Sequence, residues 1–158
     1  MQANAIYPFI DIDTPKLLQD HYSVLQDRWS QALTECGLDL AILHAGSSQL
    51  FFEDDQGPEF RANPHLLQWV PPEYAVAESC MLLQPNRKAC LLFFQSEDYW
   101  HATPKAPEHL APYFDIKIFP DLAGLTKHCN EQVAQRSTTP NRVAYVGDPP
   151  DSKQLKTD

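Results

Sequence analysis

Positive charge is scarce in this sequence: twelve lysines and arginines against twenty-one aspartates and glutamates leave a formal net charge of −9 over 158 residues. So few cations cannot neutralise a run of phosphates, so nucleic acid is not an expected partner and a small cationic ligand would be better received. Glycine is sparse too, five residues against fourteen prolines, which predicts stiff surface connections rather than a floppy linker. The sequence has no glycine-rich phosphate loop, no Gly-x-Ser-x-Gly elbow and no His-Glu-x-x-His. Nucleotide-cradling, serine-hydrolase and zincin chemistries therefore drop out. No apolar run approaches the ~20 residues of a membrane helix, so no membrane partner is expected. The opening MQANAIYPFIDID lacks the basic stretch and apolar core of a secretory leader. Four cysteines, at 36, 80, 90 and 129, never fall as Cys-x-x-Cys. That spacing argues for free thiols in a reducing cytoplasm over a disulfide framework or a zinc site. The six histidines, at 21, 44, 65, 101, 109 and 128, show no metal-ligand spacing.

What is present is ordinary globular material, 43% hydrophobic and 21% charged. A chain of this length is most economically one domain, burying about two-thirds of its unfolded surface. Thr14 and Pro15 form a helix start, a hydroxyl cap followed by the position where proline's missing N–H costs nothing. From there Leu18, Tyr22, Leu25, Trp29, Ala32, Leu33 and Cys36 recur at steps of three and four, and Gly37 supplies the stop. The run 38–44 (LDLAILH) reads as a strand covered on both faces, and 49–52 as a second strand. Runs at 79–83 and 89–94 flank QPNRK as a hairpin. The segment 114–119 (FDIKIF) alternates as a half-buried strand. Pro120 and Asp121 open a second helix with Leu122, Leu125, Cys129 and Val133 on one face, and 142–146 is a last strand. Helices interleaved with strands and one hairpin predict an α/β layered domain, a mixed β-sheet flanked by helices.

The segment 51–72 (FFEDDQGPEFRANPHLLQWVPP) is the candidate functional stretch, because two adjacent carboxylates, Asp54 and Asp55, precede a Gly57-Pro58 break in a segment too irregular for scaffold. The competing reading is a solvated turn with a capping aspartate. Trp100, between Tyr99 and His101 on a polar stretch, suits either a satellite contact under a loop or a ligand wall. His44, at a strand end, reads as a satisfied structural histidine, and His21 and His128 as solvated. Asp54 and Asp55 alone do not make a metal site, since hard cations want several oxygens from different segments.

Several stretches, in one order and at similar spacing over roughly residues 16–150, resemble the amino-terminal domain of bacterial Xaa-Pro dipeptidases (prolidases), the creatinase/prolidase N-terminal type. The organophosphorus acid anhydrolases belong to the same branch. The stretches are HYSVLQDRW at 21–29, LDLAILHAG at 38–46, FFEDD at 51–55, FRANPHLLQWVP at 60–71, DYWH at 98–101 and VAYVGD at 143–148. The resemblance implies a creatinase/prolidase-type N-terminal domain over 16–150, preceded by an extension at 1–15. Residues 151–158 would then begin a linker to a larger pita-bread metallopeptidase domain. In that domain two aspartates, one histidine and two glutamates would bind two divalent metal ions, usually manganese, and a metal-bridging hydroxide would attack the carbonyl of dipeptides ending in proline. No such ligand is assigned to this chain, which by itself is expected to be inactive.

By the same resemblance the domain helps build a homodimer and covers the substrate pocket of the neighbouring subunit. Asp55 would line that pocket and Trp100 would form nearby wall. A dipeptide's free ammonium wants a carboxylate, and a water-poor wall suits the proline ring. Glu53 stands where the resemblance implies an apolar residue, and Glu59 falls in a turn usually richer in proline and aromatics. The alternative class is a stand-alone α/β protein-interaction module without activity. A receiver-like signalling domain is disfavoured, because the first strand ends in His44, Ala45 and Gly46 instead of acidic residues.

Overall fold

The apolar stripe from Leu18 to Leu33 does form a helix: α1 runs Thr14–Glu35 and buries Tyr22, Leu25 and Leu33. The computed structural model describes residues 14–48, 57–97, 102–136 and 142–147. Gly37 ends α1 as expected. At φ +67° its N–H donates to Thr34 O (3.1 Å) while the Leu38 N–H donates to Leu33 O (2.8 Å), so two carbonyls orphaned at the helix end are satisfied. Two stripe positions depart from expectation, since Ala32 and Cys36 are exposed. Ala32 lies roughly 80° from Tyr22 at ~100° per residue, at the margin of the stripe, and Cys36 follows the last helical residue.

Five strands follow: β1 (Leu40–His44), β2 (Cys80–Leu83), β3 (Cys90–Phe94), β4 (Asp115–Phe119) and β5 (Val143–Val146), in the order β4-β3-β2-β1-β5. The β1/β2 and β2/β3 pairs are antiparallel, and β3/β4 and β1/β5 are parallel. The sheet is thus mixed, as expected. Every residue of β1 is buried, which fits a strand covered on both faces, though it begins at Leu40. The expected strand at 49–52 lies outside the described residues.

The β2/β3 hairpin turn is held to α1. The Asn86 N–H donates to Ser30 Oγ (3.0 Å), and the Ser30 hydroxyl donates back to Asn86 Oδ1 (3.3 Å). In β4 the alternation fails at one place: Ile116 is half-buried but Ile118 is 46% exposed, at the outer end of a strand on the sheet's margin. Helix α2 (Leu122–Arg136) starts as Asp121 predicts, its Oδ1 accepting the Gly124 N–H at 2.7 Å. At the opposite margin, Arg142 holds the start of β5 through Asp39 Oδ1 (2.8 Å) and Gly37 O (3.0 Å).

Successive strand residues face opposite ways, so the core divides into two layers. One packs Ala41, Leu43, Met81, Leu83, Leu91 and Phe93 against α1 and an aromatic group of Tyr22, Trp69 and Phe114. The other packs Leu40, Ile42, Cys80, Leu82 and Leu92 against Leu125, Cys129 and Val133 of α2.

Candidate functional site

The pairing pattern puts the carboxyl ends of β1, β3, β4 and β5 at one end of the sheet, where β2 begins. In open α/β sheets this end is where ligands bind. Here the segment after Phe60 folds back over the ends of β1 and β5. Asn63 is the clasp: its amide nitrogen donates to both His44 O (3.2 Å) and Val146 O (3.1 Å), joining the two parallel strands past their last ladder bonds. Its Oδ1 accepts the His65 N–H at 2.9 Å, and its own N–H donates to Ala45 O at 2.9 Å. Pro64 cannot donate, so the amide oxygen turns the chain by bonding one residue beyond it. Gly147, at φ +144°, is required beside this clasp, because a Cβ there would sit 3.0 Å from His44 O.

His44 adds a second tie. Its Nδ1 accepts the Gly46 N–H at 3.0 Å, so that nitrogen carries no proton, and Nε2–H faces Glu78 Oε2 at 3.4 Å. The hydrogen bond from His44 holds the Glu78 carboxyl below the usual carboxylate range, with burial opposing and Ser47 adding to the effect. Glu78 itself adopts φ +67°, a conformation unusual for a residue with a side chain, and its N–H donates to Gly46 O at 2.9 Å. Three positive-φ residues, Gly46, Glu78 and Gly147, thus gather at this one end. The glycines take that conformation freely, whereas at Glu78 it is strained and persists because surrounding contacts over-determine it.

Beside the clasp lies a cavity of about 740 Å³, whose walls include Gly46, Phe60, Asn63, His65, Leu67 and Gly147. Trp69 does not reach it. Its ring is buried against Tyr22 and Phe114, and the Tyr22 hydroxyl donates to Trp69 O at 2.9 Å.

Of the residues singled out in the sequence, Asp54, Asp55 and Trp100 lie outside the described residues. Their flanks are described. The chain leaves at Ser48, just past Gly46, and returns at Gly57, just before Phe60. It leaves again at Glu97, past the carboxyl end of β3, and returns at Ala102. Gln95 Nε2 donates to Pro104 O at 2.6 Å and its N–H to Phe119 O at 2.9 Å, so the described residues flanking 98–101 also stand at the carboxyl end. His44 is the satisfied structural histidine that its position predicts. His21 is exposed, as expected of a solvated histidine, with its Nε2 2.8 Å from Gln68 O, whereas His128, expected to be solvated as well, is half-buried and lies 3.3 Å from Lys117 Nζ. Among the described residues no group of three or more His, Cys, Asp or Glu is placed to hold a metal ion.

The family described as "Xaa-Pro dipeptidase, N-terminal domain" matches residues 16–157. The chain belongs to this family. As a Xaa-Pro dipeptidase N-terminal domain it is similar to the Xaa-Pro dipeptidase of Stenotrophomonas maltophilia (strain R551-3), 31% identical over 141 residues, 89% of this chain and 30% of that protein. It is also similar to that of Serratia proteamaculans (strain 568), 32% identical over 131 residues, 83% of this chain and 28% of that protein. Xaa-Pro dipeptidase 1 of Idiomarina loihiensis is 38% identical over 87 residues, 55% of this chain and 19% of that protein. The chain therefore spans less than a third of the length of these curated relatives. The Asn63 clasp lies within the FRANPHLLQWVP stretch that carries the resemblance. The mixed five-stranded sheet with two helices is the architecture expected for the Xaa-Pro dipeptidase N-terminal domain.

Proposed function

We propose that this domain serves a longer Xaa-Pro dipeptidase without performing the hydrolysis itself. It helps form a homodimer and covers the substrate pocket of the neighbouring subunit, while a separate catalytic domain holds two divalent metal ions, manganese by expectation. The observation that carries this reading is the family match over 16–157 in a chain less than a third as long as its dipeptidase relatives. The metal ligands, on this reading, come from the catalytic domain and not from the residues described. On this reading the domain occupies 16–150, and the protein works in the reducing cytoplasm. No described helix is long and apolar enough to cross a membrane.

The role proposed for this domain is recognition. Asp55 supplies the carboxylate that meets the dipeptide ammonium, and Trp100 supplies wall for the proline ring. What supports the pair is where their described flanks lie: Gly46 and Phe60, on either side of Asp55 in sequence, line the cavity, and Gln95, before Trp100, follows the carboxyl end of β3. In the full-length enzyme, Asp55→Ala is expected to raise KM for Xaa-Pro dipeptides roughly tenfold or more while bound metal stays constant. Unchanged kinetics would remove Asp55 from the pocket. The purified 158-residue chain, supplied with Mn²⁺, is expected to leave glycyl-proline intact, and turnover by it would overturn the division of labour.

A further inference from the structure

A net charge of −9 conceals one place where cations gather. Under α2, toward the amino ends of β3 and β4 and away from the Asn63 clasp, lies a cavity of about 400 Å³ whose lining includes Arg87, Lys88, Lys117 and His128. Among the described residues that line it, Asp115 is the one carboxylate, so with His128 neutral three cations less one anion leave a formal charge of +2. The cations come from three separate segments: Arg87 and Lys88 from the β2/β3 turn, Lys117 from β4 and His128 from α2. A solvated charge run would follow the outer side of one element, whereas here the fold collects the charges into a hollow. Only Lys88 is neutralised, its Nζ donating to Asp115 Oδ1 (3.1 Å) and to Ala111 O (3.2 Å). Lys117 Nζ lies 3.3 Å from His128 Nε2. An ammonium can only donate, so that ring nitrogen accepts and the ring proton sits on Nδ1, which faces Glu131 Oε2 at 4.0 Å. A neutral imidazole gives Lys117 a partner but no counter-charge. The Arg87 guanidinium makes no hydrogen bond or ion pair among the described residues.

We propose that this cavity binds a small phosphate-bearing anion, held chiefly by Arg87 and Lys117 and joining the β2/β3 turn to β4 and α2. The planar guanidinium fork meets two phosphate oxygens at once, and the compact ammonium serves a third as a point charge. A phosphate dianion matches the lining charge of +2, which a chloride or a single carboxylate would leave half unmet. The volume suits a phosphate group with a short organic chain, at the small end of ordinary ligand pockets. Side chains alone would hold the ligand, since the sequence has no glycine-rich loop to cradle it with backbone N–H groups. Binding is therefore weak and salt-sensitive, because beyond a Debye length of about 8–10 Å the surplus carboxylates of the rest of the chain neither help nor repel strongly. The site stands apart from the carboxyl-end cavity, and it does not rest on the dipeptidase reading.

The test is a titration of the ¹⁵N-labelled 158-residue chain with sodium phosphate, followed by amide chemical shifts against sodium chloride at equal ionic strength. The pH is kept above the second phosphate pKa of about 6, so that the dianion is the species offered. Thermal stability alone would mislead, because phosphate stabilises folded proteins generally by exclusion from their surface. The expected result is shifts that saturate and that cluster at 87–90, 115–118 and 128–132. Arg87→Ala and Lys117→Ala are each expected to weaken binding roughly fivefold or more, whereas Lys117→Arg keeps most of it. Both positions are exposed, so these variants should keep the parent's spectrum elsewhere. Glycerol phosphate is titrated in parallel. Binding as tight as that of inorganic phosphate shows that the phosphoryl group of an ester is read, and a tenfold preference for inorganic phosphate assigns the site to the free ion; either supports the proposal. Shifts that grow without saturating, that scatter over the chain's other lysines and arginines, or that persist unchanged in both alanine variants would overturn it.

Discussion

The two faces of the sheet are covered by one helix each, yet they are built from different materials. Under α1 lies a layer centred on stacked and edge-on rings, with Tyr22 between Trp69 (6.3 Å between centroids) and Tyr113 (5.0 Å), and Phe114 edge-on to it (5.4 Å). Under α2 lie aliphatic side chains and thiols, with Leu125 the helix's fully buried anchor and Cys129 and Val133 partly covered. Large rings bury more area per residue and add preferred ring geometries. The α1 face therefore carries more of the domain's stability. The α2 face, thinner and less completely buried, is the one whose contacts are cheaper to alter.

Trp69→Ala tests the strong side. It removes a side chain 1% exposed at the centre of the ring group and is expected to cost about 3–5 kcal/mol in denaturant unfolding. Leu125→Ala tests the weak side and is expected to cost about 2–3 kcal/mol, since a seam that is only partly closed can collapse around the loss. Equal costs for the two would erase the distinction between faces. Asn63→Ala acts on neither face but on the clasp at the carboxyl end. It leaves His44 O and Val146 O without that donor and is expected to cost about 1–3 kcal/mol. The same variant should accelerate amide exchange in β5 more than in β3, and a uniform acceleration would show the clasp to be general scaffold.

The smallest effect concerns pH. Glu78 ionises more readily in the folded chain than in the unfolded one, so its contribution is fully present above the ordinary carboxylate range and fades as pH falls through its lowered folded value. Glu78→Gln is therefore expected to lower stability slightly at higher pH, where the carboxylate contributes, and to flatten the acid limb, where the parent protein loses that contribution. An acid limb as steep as in the parent protein would show that other carboxylates govern it.

Much of this was legible in the chain itself. The α1 stripe, its Gly37 terminus, the hairpin and the Asp121 start of α2 are local features, each decided by residues a few positions apart. The strand order was not legible, because β5 pairs with β1 across the whole intervening sequence. Asn63 was visible as part of a motif, but its partners lie 19 and 83 positions away, and nothing local announces them. Glu78 was missed for a related reason. It adopts a positive φ, bonds Gly46 O through its N–H and faces His44 Nε2, partners far back in the chain that no propensity encodes. Ile118 misled, since alternation reports which face a residue takes and not whether anything lies above it.

Helix α2 departs from β4 at one margin of the sheet and delivers the chain to β5 at the other. It packs on β3 and β4, and its Leu125, Cys129 and Val133 lie on the layer that also takes in Leu40 and Ile42 of β1 and Leu82 of β2, so one helix steadies a margin strand and the middle of the sheet together.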